Sequence, residues 1–206
     1  MKTALIISGG EYAPLPDNLK SDYCIACDKG YRYALDSGIR PDVIIGDFDS
    51  MERPADTDGI PVLTFPIEKD DSDTMLAIKH AMKMGLDHIL IVCGLGGRLD
   101  HTIANIQSAA YVASHGGVCE ILSEKEYLRT LTGGNSVSIP ENSGHSLSLF
   151  SLSDSCTGLT IRGAKYNVEN ETIKNTFPLG LSNRWLSGPV EVSLKEGILL
   201  IVESSM

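Results

Sequence analysis

The chain has 206 residues, 42% apolar and 21% charged, which suits a well-cored soluble protein and leaves room for two small domains. Seventeen basic against 27 acidic residues give a formal net charge of −10, which argues against a nucleic-acid backbone as main partner but not against a nucleotide carried by a divalent cation. The stretch Met1–Gly10 has one basic residue and too short an apolar core for a signal peptide, and no later run approaches a membrane span, so a cytoplasmic protein is expected.

In chain order, residues 3–8 read as a buried strand ending in Ser8-Gly9-Gly10, where backbone can approach a ligand closely. Tyr23–Cys27 is the next strand, stopped by Asp28-Lys29-Gly30. A helix over 31–37 closes at Gly38. Val43-Ile44-Ile45 is a strand running into Asp47, and 61–65 is another. The spacing predicts a helix over 72–84, capped by Asp71 or Ser72, with Met75, Leu76, Ile78, Met82 and Ala81 on its apolar face. His88–Cys93 is a buried strand leading to a glycine loop, 101–115 a helix, and 118–122 a strand. This alternation implies a parallel sheet whose ligands bind beyond the carboxyl ends of the strands.

Near residue 133 the pattern changes to period-2 alternation: Leu147, Leu149, Leu152; Leu159, Ile161; Val190, Val192, Leu194; Ile198, Leu200, Val202. The expected architecture is an N-terminal parallel-sheet, Rossmann-like α/β domain (1–132) followed by a C-terminal antiparallel β-sandwich (133–206). The five cysteines are expected to be reduced. Cys24-Ile25-Ala26-Cys27 has redox or zinc spacing, but residues three apart in a strand face opposite ways, and no second such pair completes a zinc site.

Three acidic clusters follow strands: Gly46-Asp47-Phe48-Asp49-Ser50, Asp70-Asp71-Ser72-Asp73-Thr74, and Gly94-Leu95-Gly96-Gly97-Arg98-Leu99-Asp100-His101. Gathered carboxylates repel unless a hard cation neutralises them, and a glycine pair beside Arg98 offers room and charge for phosphate. Ordinary turn chemistry also explains Asp47 and Asp49. Helix capping, about 1 kcal/mol per residue, also explains Asp71 or Asp73. Arg98 reads equally as a surface arginine and His101 as a helix-cap residue.

Together these segments resemble the thiamine pyrophosphokinase family. The resemblance rests on Asp28-Lys29-Gly30, Gly46–Ser50, Lys69–Thr74, and Gly96-Gly97-Arg98-Leu99-Asp100-His101 with Asn105, then on Gly163-Ala164-Lys165-Tyr166 and Leu181-Ser182-Asn183. Lys29 stands where glycine is common, Val168 where leucine is usual, and Trp185 is not fixed in the family. The resemblance implies transfer of pyrophosphate from ATP to the hydroxyl of thiamine, with Mg²⁺ held by Asp47, Asp49, Asp73 and Asp100. It implies catalytic roles for Asp73, Asp100 and Arg98, and nucleotide contacts from Asp28, Lys69, Asp71, Thr74, Arg98, His101 and Asn105. Thiamine contacts would come from Ser182, Asn183 and Trp185, the last also readable as a core residue. A homodimer with sites at the subunit interface is implied by resemblance alone. A metal-dependent phosphohydrolase and a non-catalytic nucleotide or vitamin sensor remain the alternatives.

Overall fold

The computed structural model describes residues 1–16, 19–46, 57, 59–64 and 71–206. Two compact units divide the chain, Met1–Ser108 with Cys119–Glu124 and Ala109–Val118 with Lys125–Met206. The strands fall into a larger, mixed sheet and a separate four-stranded antiparallel sheet. Among the described residues no helix is long and apolar enough to cross a membrane.

The first unit carries the parallel part of the mixed sheet. Its strands are β1 (Thr3–Ile7), β2 (Tyr23–Cys27), β3 (Val43–Gly46), β4 (Val62–Thr64) and β5 (His88–Val92), in the order β5-β1-β2-β3-β4, with β6 (Val118–Leu122) next to β5. Ile6 pairs with Ile25 on one side and Ile91 on the other, both in parallel register. Ala4, Ile6 and Ile7, with Ile25, Ile44 and Ile45, are completely buried. A strand covered on both faces needs such an unbroken apolar run.

Helix α1 (Gly30–Asp36) follows β2 and helix α2 (Asp73–Lys83) follows β4. Ser72 caps α2, its hydroxyl accepting from the Met75 N–H at 3.2 Å, while Asp71 pairs with Lys79 at 2.7 Å. The buried side of α2 is Thr74, Ala77, Ile78 and Ala81; Met75, Leu76 and Met82 are only half-buried. Ile78 and Ala81 are thus buried as expected, while the small residues Thr74 and Ala77 take the remaining packed positions in place of Met75, Leu76 and Met82. Helix α3 (Leu99–Ser114) begins two residues earlier than expected, taking Leu99 and Asp100 into its first turn.

The second unit is antiparallel throughout. Strands β7 (Glu126–Thr132), β9 (His145–Ser151), β12 (Gly180–Asn183) and β14 (Ile198–Ser205) run in the order β12-β9-β14-β7. Strands β8 (Ser136–Ile139), β10 (Ser155–Arg162), β11 (Val168–Lys174) and β13 (Val190–Ser193) form the separate sheet, in the order β11-β10-β13-β8. One buried cluster draws Leu147, Leu149, Leu199 and Ile201 from the first set and Ile139, Leu159, Ile161, Val190 and Val192 from the second. The β14 alternation is thus one residue out of phase with the sequence reading: Leu199 and Ile201 join this cluster, not Ile198, Leu200 and Val202. Leu200 is also buried, so β14 is apolar on both faces there and its period cannot be read from hydrophobicity.

Candidate active site

Because β1 to β5 are parallel, the segments after them leave the sheet at one edge. Ser8–Gly10, Asp28, Gly46 and the loop from Cys93 all belong to that edge. Chain order steps from β1 to β2 on one side and returns to β5 on the other, so the direction reverses between β1 and β5. Open α/β sheets hold ligands in the crevice at such a reversal.

The two loops flanking that crevice are tied together. The N–H of Gly10 donates to the Cys93 carbonyl at 3.1 Å, and the Cys93 thiol to the Ala13 carbonyl at 3.7 Å. Glu11 accepts the Gly97 N–H at 2.8 Å. Tyr33, from α1, donates its hydroxyl to the Gly10 carbonyl at 3.1 Å, and its ring meets Tyr12 at 5.2 Å between centroids. A Cβ on Gly10 would run into the Cys93 carbonyl oxygen, so the close approach requires glycine. Ser8 is buried, its hydroxyl 2.9 Å from that of Thr74 in the first turn of α2.

Asp28 is 9% exposed and has a φ of 44°, in the left-handed region. Its N–H donates to Ile45 at 3.1 Å, and its carboxylate lies against Gly46, where any side chain would collide with it. The Cys27 thiol donates to the Asp73 carbonyl at 3.6 Å, joining the end of β2 to the start of α2. Its motif partner Cys24 is buried, which with the nearby Asp42 charge pushes its thiol up to about 12 and keeps it protonated at neutral pH.

The glycine loop before α3 is closed on itself. Arg98 grips Asp100 with two bonds, Nε to Oδ1 at 3.1 Å and a terminal nitrogen to Oδ2 at 2.6 Å. The same Oδ1 accepts the His101 N–H at 3.0 Å. These contacts, the guanidinium bond first, hold the Asp100 carboxyl below the usual range, and the pair raises Arg98 in turn. Both side chains are largely exposed, so their mutual attraction is screened by water. Asn105 is buried and donates Nδ2 to the Gly94 carbonyl at 2.7 Å, while the Thr102 hydroxyl reaches the Gly96 carbonyl at 3.4 Å. Asn105 therefore fixes the base of the loop.

Asp47, Asp49 and Lys69 lie outside the described residues, and among the described residues no three His, Cys, Asp or Glu side chains gather into a metal-holding group. The assigned set of Asp47, Asp49, Asp73 and Asp100 offers only carboxylate oxygens, a donor chemistry that fits a hard dication. Asp73 is half-buried in the first turn of α2, whereas Asp100 has both oxygens on Arg98. Oδ2 of Asp100 accepts only the one Arg98 bond, so it keeps a lone pair that could face a cation.

In the second unit Asn183 is buried, and its Oδ1 accepts the N–H groups of Tyr166 at 3.0 Å and Arg184 at 2.9 Å. Its Nδ2 returns to the Tyr166 carbonyl at 2.8 Å. Ser182 is exposed at a φ of 57°, with its N–H on the Ser148 hydroxyl at 3.0 Å. The Trp185 indole N–H donates to the Ile139 carbonyl at 3.3 Å, and the half-buried ring packs against the core cluster. Trp185 also bridges to Ala164, so the two sequence motifs of this unit form one corner.

Sequence reasoning missed Glu11, Tyr12 and Tyr33. The available signal was position: Glu11 and Tyr12 directly follow the glycine pair at the end of β1.

The site is a glycine- and carboxylate-lined edge of a parallel sheet, the place where open α/β sheets bind ligands, in a chain that continues into an antiparallel unit. The family model for the thiamin pyrophosphokinase catalytic domain matches residues 18–119, and that for the thiamin pyrophosphokinase vitamin B1 binding domain matches residues 135–199. Thiamine pyrophosphokinase from Bacillus subtilis (strain 168) is 29% identical over 213 aligned residues, covering 100% of both chains. The solved structure of thiamine pyrophosphokinase from Bacillus subtilis superposes with a TM-score of 0.88 at 27% identity, covering 100% of both chains. The solved thiamin pyrophosphokinase from Geobacillus thermodenitrificans gives 0.83 at 27% identity, covering 99% of this chain and 98% of its own. The chain belongs to the thiamin pyrophosphokinase family.

Proposed function

We propose that this chain transfers a pyrophosphoryl group from ATP, with Mg²⁺, to the hydroxyl of thiamine, giving thiamine diphosphate and AMP. The observation that carries this reading is the match of the catalytic and the vitamin-binding family models, in order, along one chain. Family membership makes it a thiamine diphosphokinase; the roles of individual residues are the proposal.

The thiamine oxygen forms a bond to the β-phosphorus while the bond from that phosphorus to the α–β bridging oxygen breaks, and AMP leaves with the bridging oxygen. Such chemistry depends on positioning and on stabilising negative oxygens. Arg98 and Lys69 steady the phosphates, and Asp100, a weak base made weaker by its bond to Arg98, takes the hydroxyl proton late in a loose transition state. Asp47, Asp49 and Asp73, with Asp100 beside them, would hold Mg²⁺, which would supply charge neutralisation at the phosphates. Asp28, Asp71, Thr74, His101 and Asn105 line or brace the nucleotide site, Thr74 through Ser8 and Asn105 through Gly94.

Thiamine is a cation with a flat aminopyrimidine, suited by an aromatic face and acidic surroundings. Trp185 offers the ring face that does not pack inward, Ser182 bonds the amino group, and Asn183 holds the corner in place. The same proposal divides the chain by function into a Rossmann-like 1–132 and a sandwich 133–206, in a cytoplasmic homodimer with its sites at the subunit interface.

AMP release with and without thiamine tests the reading. Release that requires thiamine supports it; release without thiamine marks a phosphohydrolase, and none at all marks a sensor.

A further inference from the structure

The loop before α3 presents two groups suited to a phosphate oxygen, the Gly97 N–H and the Arg98 guanidinium, and each already holds a carboxylate. Asp100 takes Arg98, and Glu11 takes Gly97 at 2.8 Å. Glu11 comes from the opposite loop, after β1, across the crevice where the strand order reverses. Its side chain lies along Gly96: a Cβ there would collide with the Glu11 carboxylate. Gly96 and Gly97 both have positive φ, 81° and 63°, so the turn that aims the Gly97 N–H is set by the backbone rather than by Glu11. The space left by the missing Gly96 side chain is therefore filled by an anion supplied by the chain itself.

We propose that Glu11 is a resident competitor at the nucleotide site, a carboxylate that holds the Gly97 N–H in the free enzyme and must yield it to a phosphate oxygen of the entering nucleotide. This rests on the proposed ATP-dependent function. The physical reason is direct. One N–H cannot serve two anionic oxygens at full strength, and a carboxylate left beside the triphosphate repels it. Glu11 is exposed, so after release its charge is taken up by water with little penalty. The strap that carries it stays in place through the Gly10, Ala13 and Tyr33 contacts, none of which involves the Glu11 side chain. The exchange thus needs a side-chain rotation and no loop opening.

The test compares wild type, Glu11→Gln and Glu11→Ala by calorimetric titration with Mg²⁺ and α,β-methylene-ATP, whose bridge cannot be cleaved, and with adenosine. Thermal midpoints are recorded alongside. The near-isosteric Gln variant keeps the fold and an acceptor but removes the charge. Affinity for the triphosphate is expected to rise in the order wild type, Gln, Ala, by roughly three- to tenfold overall, with adenosine binding unchanged. Equal or weaker triphosphate binding in both variants, or a gain shared by adenosine, overturns the proposal. So does a wild type that binds no triphosphate. Thiamine-dependent AMP release by the wild type reports separately on the proposed function: with it intact and the affinities unmoved, only the role of Glu11 fails.

Discussion

The carboxylate of Asp28 occupies the space that any side chain on Gly46 would need. Asp28 ends β2, Gly46 ends β3, and the next residue is Asp47, so the packing of one assigned carboxylate against one glycine bears on where the Gly46–Ser50 motif begins. Gly46→Ala is expected to push Asp28 aside, at a stability loss of about 1–3 kcal/mol from overpacking, and to reduce transfer more than tenfold in the folded fraction. Urea unfolding together with kinetics per folded molecule checks both halves.

Arg98 keeps the Asp100 carboxyl low, so the pair's contribution to stability is present above the unfolded carboxylate value and lost as pH falls through the lower, folded one. In Arg98→Gln the Asp100 midpoint should move up towards the ordinary carboxylate range, read from carboxyl carbon shifts during an acid titration. Arg98→Lys should retain part of the low midpoint yet lose most transfer activity, since lysine lacks the two-pronged grip.

Asp73→Asn is expected to leave folding nearly intact, because Ser72 and not Asp73 makes the side-chain cap of α2. Transfer should drop steeply and the Mg²⁺ requirement should rise. Near-normal activity at limiting Mg²⁺ would leave Asp73 as a helix-dipole residue only.

Much of the first unit was legible because a parallel α/β sheet puts its functional residues after its strands, and the turn residues there are recognisable. Asp28, Gly46 and Gly94–His101 stand at the ends of β2, β3 and β5, where the sequence reading put them. The reading failed where chemistry is supplied across space rather than along the chain. Nothing local links Glu11 to Gly97, 86 residues away, and the pairing depends on β1 and β5 being neighbours. It also failed where hydrophobicity carries no phase: Leu199, Leu200 and Ile201 are all buried, so β14 gives no hint of which face meets the cluster. On α2 Ile78 and Ala81 were read correctly, but the inward face also uses Thr74 and Ala77, which a search for large apolar residues passes over.

Asn183 uses three hydrogen bonds to hold Tyr166 and Arg184. Asn183→Ala orphans the buried side of that corner and should cost about 1–3 kcal/mol. Thiamine binding should weaken along with the thermal midpoint, whereas ATP binding should not. Equal loss for both substrates would point to general unfolding.

Trp185→Phe separates stacking from anchoring. Phe keeps a ring but loses the indole bond to Ile139, so a modest stability loss and a small rise in the thiamine Michaelis constant are expected. Trp185→Ala should raise that constant about five- to thirtyfold and leave that for ATP nearly unchanged. Normal thiamine kinetics in the folded Ala variant would restrict Trp185 to the core.

The central claim is intact transfer of two phosphates to thiamine. Phosphorus NMR of a reaction containing the full chain, Mg²⁺, ATP and thiamine follows every product at once. AMP and thiamine diphosphate are expected to rise together in equal amounts, with no thiamine monophosphate. ADP with thiamine monophosphate, or AMP with free pyrophosphate and unchanged thiamine, would contradict it.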